Sequence, residues 1–262
     1  MDLDLSGKHA LVCGASHGIG RAAAHELAAL GADVTVLARS RDTLETVAAA
    51  LPCAYTGQHH GYIEADVADH DALRAKVEAL ANARAVQILV NNSGGPPGGA
   101  AHAADVEAYL DAFRKHLVAN QTLLQTVLPG MRQNGYGRVI NIISTSVKEP
   151  IRNLGVSNTI RGAVASWAKT LAAELGPFGI TVNNVLPGYT RTRRLDQILA
   201  DRARAGNQSE EAVAKTMLAG VPAGRFAEAS EIAGVIAFLA TPAAGYVNGI
   251  NLPVDGGRTL SL

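Results

Sequence analysis

The sequence predicts an α/β protein: a doubly wound, Rossmann-type sheet, mostly parallel, in a three-layer α/β/α arrangement, folded as a single domain over residues 1–262. Three observations predict it. Short β-rich runs alternate with longer helical patterns, as parallel strands joined by crossover helices require. The run Val86–Val90 is apolar without a break, the mark of a strand covered on both faces. Gly14, Gly18 and Gly20 follow the first apolar run and open an alanine-rich stretch, so backbone amides at a helix start can approach a pyrophosphate. With 262 residues, 48% of them hydrophobic, the chain can bury one substantial core.

The elements follow in order. Strands are expected at His9–Cys13, Asp33–Leu37, Val86–Val90, Arg138–Ile143 and Ile180–Val185, each a short β-rich run. Helices are expected at Arg21–Leu30 and Asp71–Leu80, and a longer one from about Asp105 to Met131 with Pro129 in its final turns. Gly94–Gly99 holds too many glycines and prolines for a helix or inner strand, and the charged stretch 190–220 also reads as irregular. Both follow strands at their carboxyl ends, where doubly wound sheets bind ligands; they should wall the substrate pocket, residues 190–220 as a lid. Asn248–Gly257 suits a final edge strand.

Lys+Arg and Asp+Glu both number 23, so nothing in the charge balance points to nucleic acid or a membrane surface, and a small, roughly neutral substrate fits better. Cys13 and Cys53 lack the paired spacing of a metal or disulfide framework, which suits a reducing cytoplasm. The start Met1–Lys8 has no basic region followed by an apolar one, and no apolar run reaches membrane-spanning length; a soluble cytoplasmic protein is expected. His59-His60 has no third ligand nearby, so no metal is assigned.

The spacing Gly-x3-Gly-x-Gly, together with Asn91-Asn92-Ser93-Gly94, Asn120, Asn141-Ile142-Ile143-Ser144, Pro187-Gly188 and Val254-Asp255-Gly256-Gly257, resembles the short-chain dehydrogenase/reductase family, including its 3-oxoacyl-ACP reductase-like members, over essentially the whole chain. The resemblance implies a dinucleotide held by Gly14, Ser16, His17, Gly18, Ile19 and Gly20, with Cys13 where the family usually has threonine. It places Asp66-Val67 along the adenine, Asn91, Ser93 and Gly94 on the adenosine and ribose side, and Pro187, Gly188, Thr190 and Thr192 at the nicotinamide carboxamide. Arg39, just after the second strand, can pair with a 2′-phosphate where an NAD enzyme usually carries an acid, so NADP(H) is favoured over a possible NAD(H). Relatives commonly form homotetramers through the long helices near Asp105–Met131 and Val156–Leu175 and the C-terminal strand, so a homo-oligomer, tetramer or dimer, is expected.

The reaction centre departs from that pattern. Ser144 stands at the family serine position, but thirteen residues later, where tyrosine belongs, comes Ser157, and four further on Arg161 stands in place of lysine. Residues four apart share a helix face, so both should still point at the coenzyme. An arginine can hold ribose hydroxyls but stays charged, and a serine is a far weaker acid than a phenol. Another proton source is therefore required: Lys148 beyond Ser144, Tyr189 after Pro187-Gly188, His116 one turn before Asn120, or more remotely Glu149. Asn120 takes the place of the family asparagine, which interrupts helix regularity and binds a relay water. Arg191, Arg193 and Arg194 suit an anionic substrate or merely a solvated helix start. The leading reading is an NADP(H)-dependent oxidoreductase with an atypical acid-base group, acting on a carbonyl, alcohol, imine or enone; the alternative is a catalytically silent dinucleotide-binding sensor or partner subunit.

Overall fold

The computed structural model describes residues 1–261, and its frame is one seven-stranded sheet in the order β3-β2-β1-β4-β5-β6-β7, parallel at every pairing. The strands are β1 (His9–Cys13), β2 (Asp33–Ala38), β3 (Gly61–Glu64), β4 (Ile88–Asn91), β5 (Gly137–Ile142), β6 (Ile180–Pro187) and β7 (Asn251–Val254). Nine α-helices connect them among the described residues: α1 (Gly18–Ala29), α2 (Arg41–Ala49), α3 (His70–Ala83), α4 (Val106–Phe113), α5 (Ala119–Gln133), α6 (Gly155–Leu175), α7 (Arg193–Gly206), α8 (Glu210–Leu218) and α9 (Ala229–Ala240). The strand order reverses between β1 and β4, the switch point at which such sheets open a ligand crevice.

Each face of the sheet has its own core. Val12, Val34, Val36, Ile88, Val90 and Ile140 pack with α1 and α9 on one side; Leu11, Leu37, Leu89, Val139 and Val182 pack with α3, α5 and α6 on the other. Burial on both faces is why β4 reads as a continuous apolar run.

Register at the carboxyl ends is pinned by an asparagine ladder. Asn91, Asn141, Asn184 and Asn251 lie in register across β4, β5, β6 and β7. Each side-chain N–H donates to the next carbonyl, at 2.8, 2.9 and 2.8 Å. A slip of any strand by one residue would strand these buried amides, so the ladder fixes the level at which Ser144 and Pro187 leave the sheet.

Local chemistry sets the helix starts. The Asp69 carboxylate accepts from Ala72 N–H at α3, Ser209 Oγ from Ala212 N–H at α8, and a reciprocal Glu228/Glu231 pair caps α9. Residues 190–220, expected to be irregular, are instead largely the helices α7 and α8: Leu195, Ala203, Val213, Met217 and Phe226 form a small core of their own. The charge density of the segment hides a narrow apolar stripe facing inward. The helix expected from Asp105 to Met131 is not uniform. A π-helical turn, Arg114–Val118, separates α4 from α5.

Among the described residues no helix is long and apolar enough to cross a membrane, and no group of His, Cys, Asp or Glu is placed to hold a metal ion. His60 is structural: its Nδ1 accepts from Val34 N–H and its Nε2 donates to Pro52 O, while His59 N–H bonds the buried Asp33 carboxylate.

Candidate active site

The crevice above the carboxyl ends of β1 and β4 is floored by backbone. Gly14 has φ +58°, and a Cβ there would lie 2.7 Å from Asn92; a Cβ on Gly20 would lie 2.4 Å from Gly14 O. Asn92 Nδ2 donates to Gly14 O at 3.2 Å and holds the turn from the β4 side. His17, the N-cap of α1, makes no side-chain bond to the first amides of the helix, so these donors face the crevice without an internal partner. A glycine cradle that admits no Cβ, leading into an uncapped helix start, fits a pyrophosphate.

Arg39 is exposed just past the end of β2, free of any acid in β2 itself beyond the remote Asp33, whose carboxylate pairs with Arg84. Asp66, past β3, is exposed and folds into its own turn by accepting from Ala68 N–H at 2.9 Å; Val67 beside it is half-buried. Ser16 and Ile19 are half-buried within the glycine turn.

One assignment on this side is corrected. The Asn91 side chain does not line the crevice: it is 2% exposed and begins the asparagine ladder, so Asn92 and Ser93 meet the site instead. His17 adds no charge. Its Nε2 accepts from Arg193 Nη1 at 2.8 Å, and burial, with Arg193 and Arg21 nearby, pushes its pKa below the ordinary value, so the imidazole is neutral at pH 7. The cations beside the glycine turn are Arg193 and Arg21, which line with His17 and Thr192 a cavity of about 570 Å³.

The reaction end is built of side chains. Ser144, two residues past the end of β5, caps a short 3-10 turn, Thr145–Val147; its Oγ accepts from Ser146 N–H at 3.1 Å, a bond that does not use the hydroxyl proton. Arg161 is 8% exposed, and among the described residues its hydrogen bond is from Nη1 to Ile142 O at 3.1 Å. Its Nη2 lies 3.9 Å from where a Cβ on Gly95 would sit. Ser157, one turn earlier on α6, is half-buried on the same face. The start of α6 is clamped to the glycine-rich loop, with Gly99 N–H donating to Asn153 O at 2.7 Å and Gly155 N–H to Gly99 O at 3.0 Å.

The irregular turn before α5 carries His116 rather than Asn120. His116 is 2% exposed, its Nδ1 lies 2.6 Å from Ser93 Oγ, and burial, reinforced by the positive charge of Arg161, pushes its pKa down to about 3. It is a neutral imidazole in the interior beside Arg161. Asn120 sits one turn on, buried in regular α-helix. The helix irregularity expected at Asn120 therefore falls at His116, and a sequence pattern that permits either register does not separate them.

Other candidates are dispersed. Lys148 is half-buried at the end of the turn that Ser144 begins. Glu149 is no acid-base candidate: its carboxylate accepts from Leu260 and Ser261 N–H at 2.8 and 2.6 Å. Tyr189 packs edge-on to Phe226, ring centroids 6.3 Å apart, with the Arg258 guanidinium 4.7 Å above its ring. Arg258 itself, unmarked in the sequence, reaches Thr145 Oγ1 at 3.2 Å and ties the C-terminal tail to the turn after Ser144. No spacing rule connects positions 113 residues apart.

At β6, Gly188 N–H donates to Val254 O at 2.9 Å, and a Cβ on Gly188 would lie 2.6 Å from Asp255 Cα. Pro187, Thr190 and Thr192 follow in a tight turn in which Thr190 Oγ1 donates to Gly188 O and Thr192 Oγ1 to Thr190 O. The Thr192 methyl lies 3.0 Å from the Cβ position of Gly18, so the lid root closes on the glycine turn.

Comparison with known proteins agrees with this geometry. The sequence pattern of the family described as enoyl-(acyl carrier protein) reductase matches residues 14–259. The 3-oxoacyl-[acyl-carrier-protein] reductase FabG of Haemophilus influenzae is 35% identical over 260 residues, 98% of this chain and 100% of that protein. The NADPH-dependent reductase BacG of Bacillus subtilis is 29% identical over 264 residues, 98% of this chain and 100% of that protein. The L-sorbose reductase of Gluconobacter frateurii, solved with NADPH and L-sorbose, superposes with a TM-score of 0.92 at 29% identity, covering 100% of both chains.

Proposed function

The chain belongs to the short-chain dehydrogenase/reductase family, and from that premise we propose that it is an NADP(H)-dependent oxidoreductase, acting on a small carbonyl, alcohol, imine or activated alkene, in which Ser157 and Arg161 replace the acid-base pair of its relatives. The glycine turn with Ser16 and Ile19 holds the pyrophosphate, Arg39 past β2 and Arg21 and Arg193 beside the glycine turn offer charge to phosphate groups, and Asp66-Val67 flank the adenine. Ser93 and Gly94 line the ribose side, and Pro187, Gly188, Thr190 and Thr192 the carboxamide. The coenzyme, when bound, supplies or accepts the hydride. The names of NADPH-dependent relatives support this choice, as does Arg39 where an acid would be needed for a free ribose hydroxyl.

The chain's own chemistry follows from its hydrogen bonds. Ser144 donates its hydroxyl proton to the substrate oxygen. Arg161 keeps its charge, since burial, with a smaller push from Arg194, lowers its pKa only to about 10, and it stabilises negative charge that develops on the acceptor. Ser157 is a far weaker acid than a phenol, and Arg161 stays protonated near neutral pH. His116, neutral and bonded to Ser93, positions the loop over Arg161, with Asn120 behind it. Lys148 is the proton donor we assign; Tyr189, held between Phe226 and Arg258, is a wall of the pocket. Such a site suits acceptors whose charge is stabilised rather than instantly protonated, conjugated alkenes and imines above simple ketones.

One observation carries this reading: a buried guanidinium stands on α6 next to Ser144's strand with no phenol on the same face. The test follows reduced-nicotinamide absorbance with ketones, imines, quinones and enones in the wild type and in Ser144→Ala, Lys148→Ala and Tyr189→Phe. Turnover that needs Ser144 and Lys148 is expected. Tight NADPH binding without turnover on any acceptor would instead indicate a silent dinucleotide-binding protein. The exposed stripe Val106, Leu110 and Phe113 on α4 supports association of copies through this helix, which sedimentation of the purified chain would test.

A further inference from the structure

The three lid arginines are not equivalent. Arg191 pairs with Glu228 at 3.0 Å, and Arg193 engages His17 of the glycine turn. Arg194 alone reaches across to the glycine-rich loop, where its Nη2 donates to Pro96 O at 3.2 Å. Gly95, the preceding residue, is the one whose Cβ position would lie 3.9 Å from Arg161 Nη2. Two guanidiniums thus lie beside one stretch of loop at the mouth of the reaction end, one buried and one on the lid.

Neither has an anion. Among the described residues no ion pair includes Arg161 or Arg194. The nearest carboxylate in the chain after Ser144, Glu149, is held by backbone amides of the tail. A buried charge without a counter-ion is costly, and it persists in a site because a ligand completes it. Ribose hydroxyls can accept from Arg161 but bring no charge, so they satisfy its donors and leave the excess positive field in place. The field of Arg194 adds to it, acting in the same direction as burial on Arg161.

We infer that the substrate carries a carboxylate, clamped between the lid guanidinium of Arg194 and the field of buried Arg161, so that the lid recognises the anion while Ser144 addresses the reacting end. This rests on the oxidoreductase reading above and narrows its substrate class to carboxylate-bearing acceptors. A planar guanidinium matches a carboxylate bidentately, and Arg194, whose Nη1 now donates to Gln197 Oε1 at 3.5 Å and whose Nη2 donates to Pro96 O, exchanges these long neutral contacts for charged ones. Phosphate groups of the coenzyme are the competing claimant for Arg194, and the test separates them.

The protein is titrated with NADPH, and the complex then by calorimetry with matched pairs: crotonate and crotonamide, cinnamate and cinnamamide, benzoate and benzamide. At least one carboxylate is expected to bind about ten- to hundredfold more tightly than its amide. Arg194→Ala should abolish that preference while NADPH affinity stays within about twofold, and Arg194→Lys should restore only part of it because the fork is lost. Equal binding of acid and amide in every pair, or a preference that survives Arg194→Ala, overturns the inference and leaves the oxidoreductase reading standing. A loss of NADPH affinity in Arg194→Ala that matches the loss for carboxylates also overturns it and assigns Arg194 to the coenzyme. Failure of the wild type to bind NADPH removes both.

Discussion

The two ends of the crevice are made of different material. The glycine turn and the start of α1 present backbone donors in a cradle that a single Cβ would break, whereas the other end presents Ser144, Ser157, Arg161 and His116 from three different elements, with Ser144, Arg161 and His116 held by side-chain hydrogen bonds. A backbone site is specified by where side chains are absent, so it tolerates little change and keeps one chemistry. A side-chain site can exchange its acid while keeping its geometry. On the proposed function, that contrast lets a dinucleotide cradle persist beside a substituted reaction centre.

The sharpest way to break the contrast is to alter one end and measure the other. Ser144→Ala should lower turnover by about 100- to 1,000-fold, the usual effect of removing a donor to a developing oxyanion, with NADPH affinity within about twofold. If NADPH binding fell equally, the two ends would not be separable. Gly20→Ala places a methyl 2.4 Å from Gly14 O and should weaken NADPH by about 100-fold or more, measured by fluorescence titration, with the melting temperature recorded to exclude unfolding. Arg39→Ala should weaken NADPH about ten- to hundredfold and leave NADH nearly unchanged. Equal effects on both would remove the 2′-phosphate assignment.

The smallest effect tests the buried imidazole. His116 has an ordinary pKa of 6.5 unfolded and about 3 folded, so the unfolded chain takes up the proton first. Its contribution to stability is complete above pH 6.5 and is lost as pH falls toward 3. The slope is at most about 1.4 kcal/mol per pH unit for one group. In His116→Asn the acid limb of the unfolding free energy, measured in urea, should be shallower by up to that amount between pH 6 and about 4. An unchanged slope would mean that His116 is not buried neutral.

How much of this was legible in the sequence follows the same division. The five strands named from β-rich runs are all present, because a central parallel strand must be apolar on both faces. The lid helices α7 and α8 escaped because Leu195, Ala203 and Met217 are too sparse among charges to mark a periodic face. The glycine turn was readable from spacing, because the constraint is steric and local. The relative placement of Ser144, Ser157 and Arg161 was readable, because they lie on a short stretch with a countable register. The register failed between His116 and Asn120, four residues apart in one predicted helix, where only the π-helical turn Arg114–Val118 separates His116 from Asn120 in α5. Arg258 lay beyond any local rule, since the tail reaches Thr145 only through the tertiary fold.

The most direct measurement is a crystal structure of the protein with NADPH. The account predicts the pyrophosphate on the Gly14–Gly20 turn, the 2′-phosphate against Arg39, and the Arg161 guanidinium turned to the nicotinamide ribose with the ring facing Ser144. A coenzyme bound elsewhere, or Arg161 still held on Ile142 O with the ribose out of its reach, would contradict it.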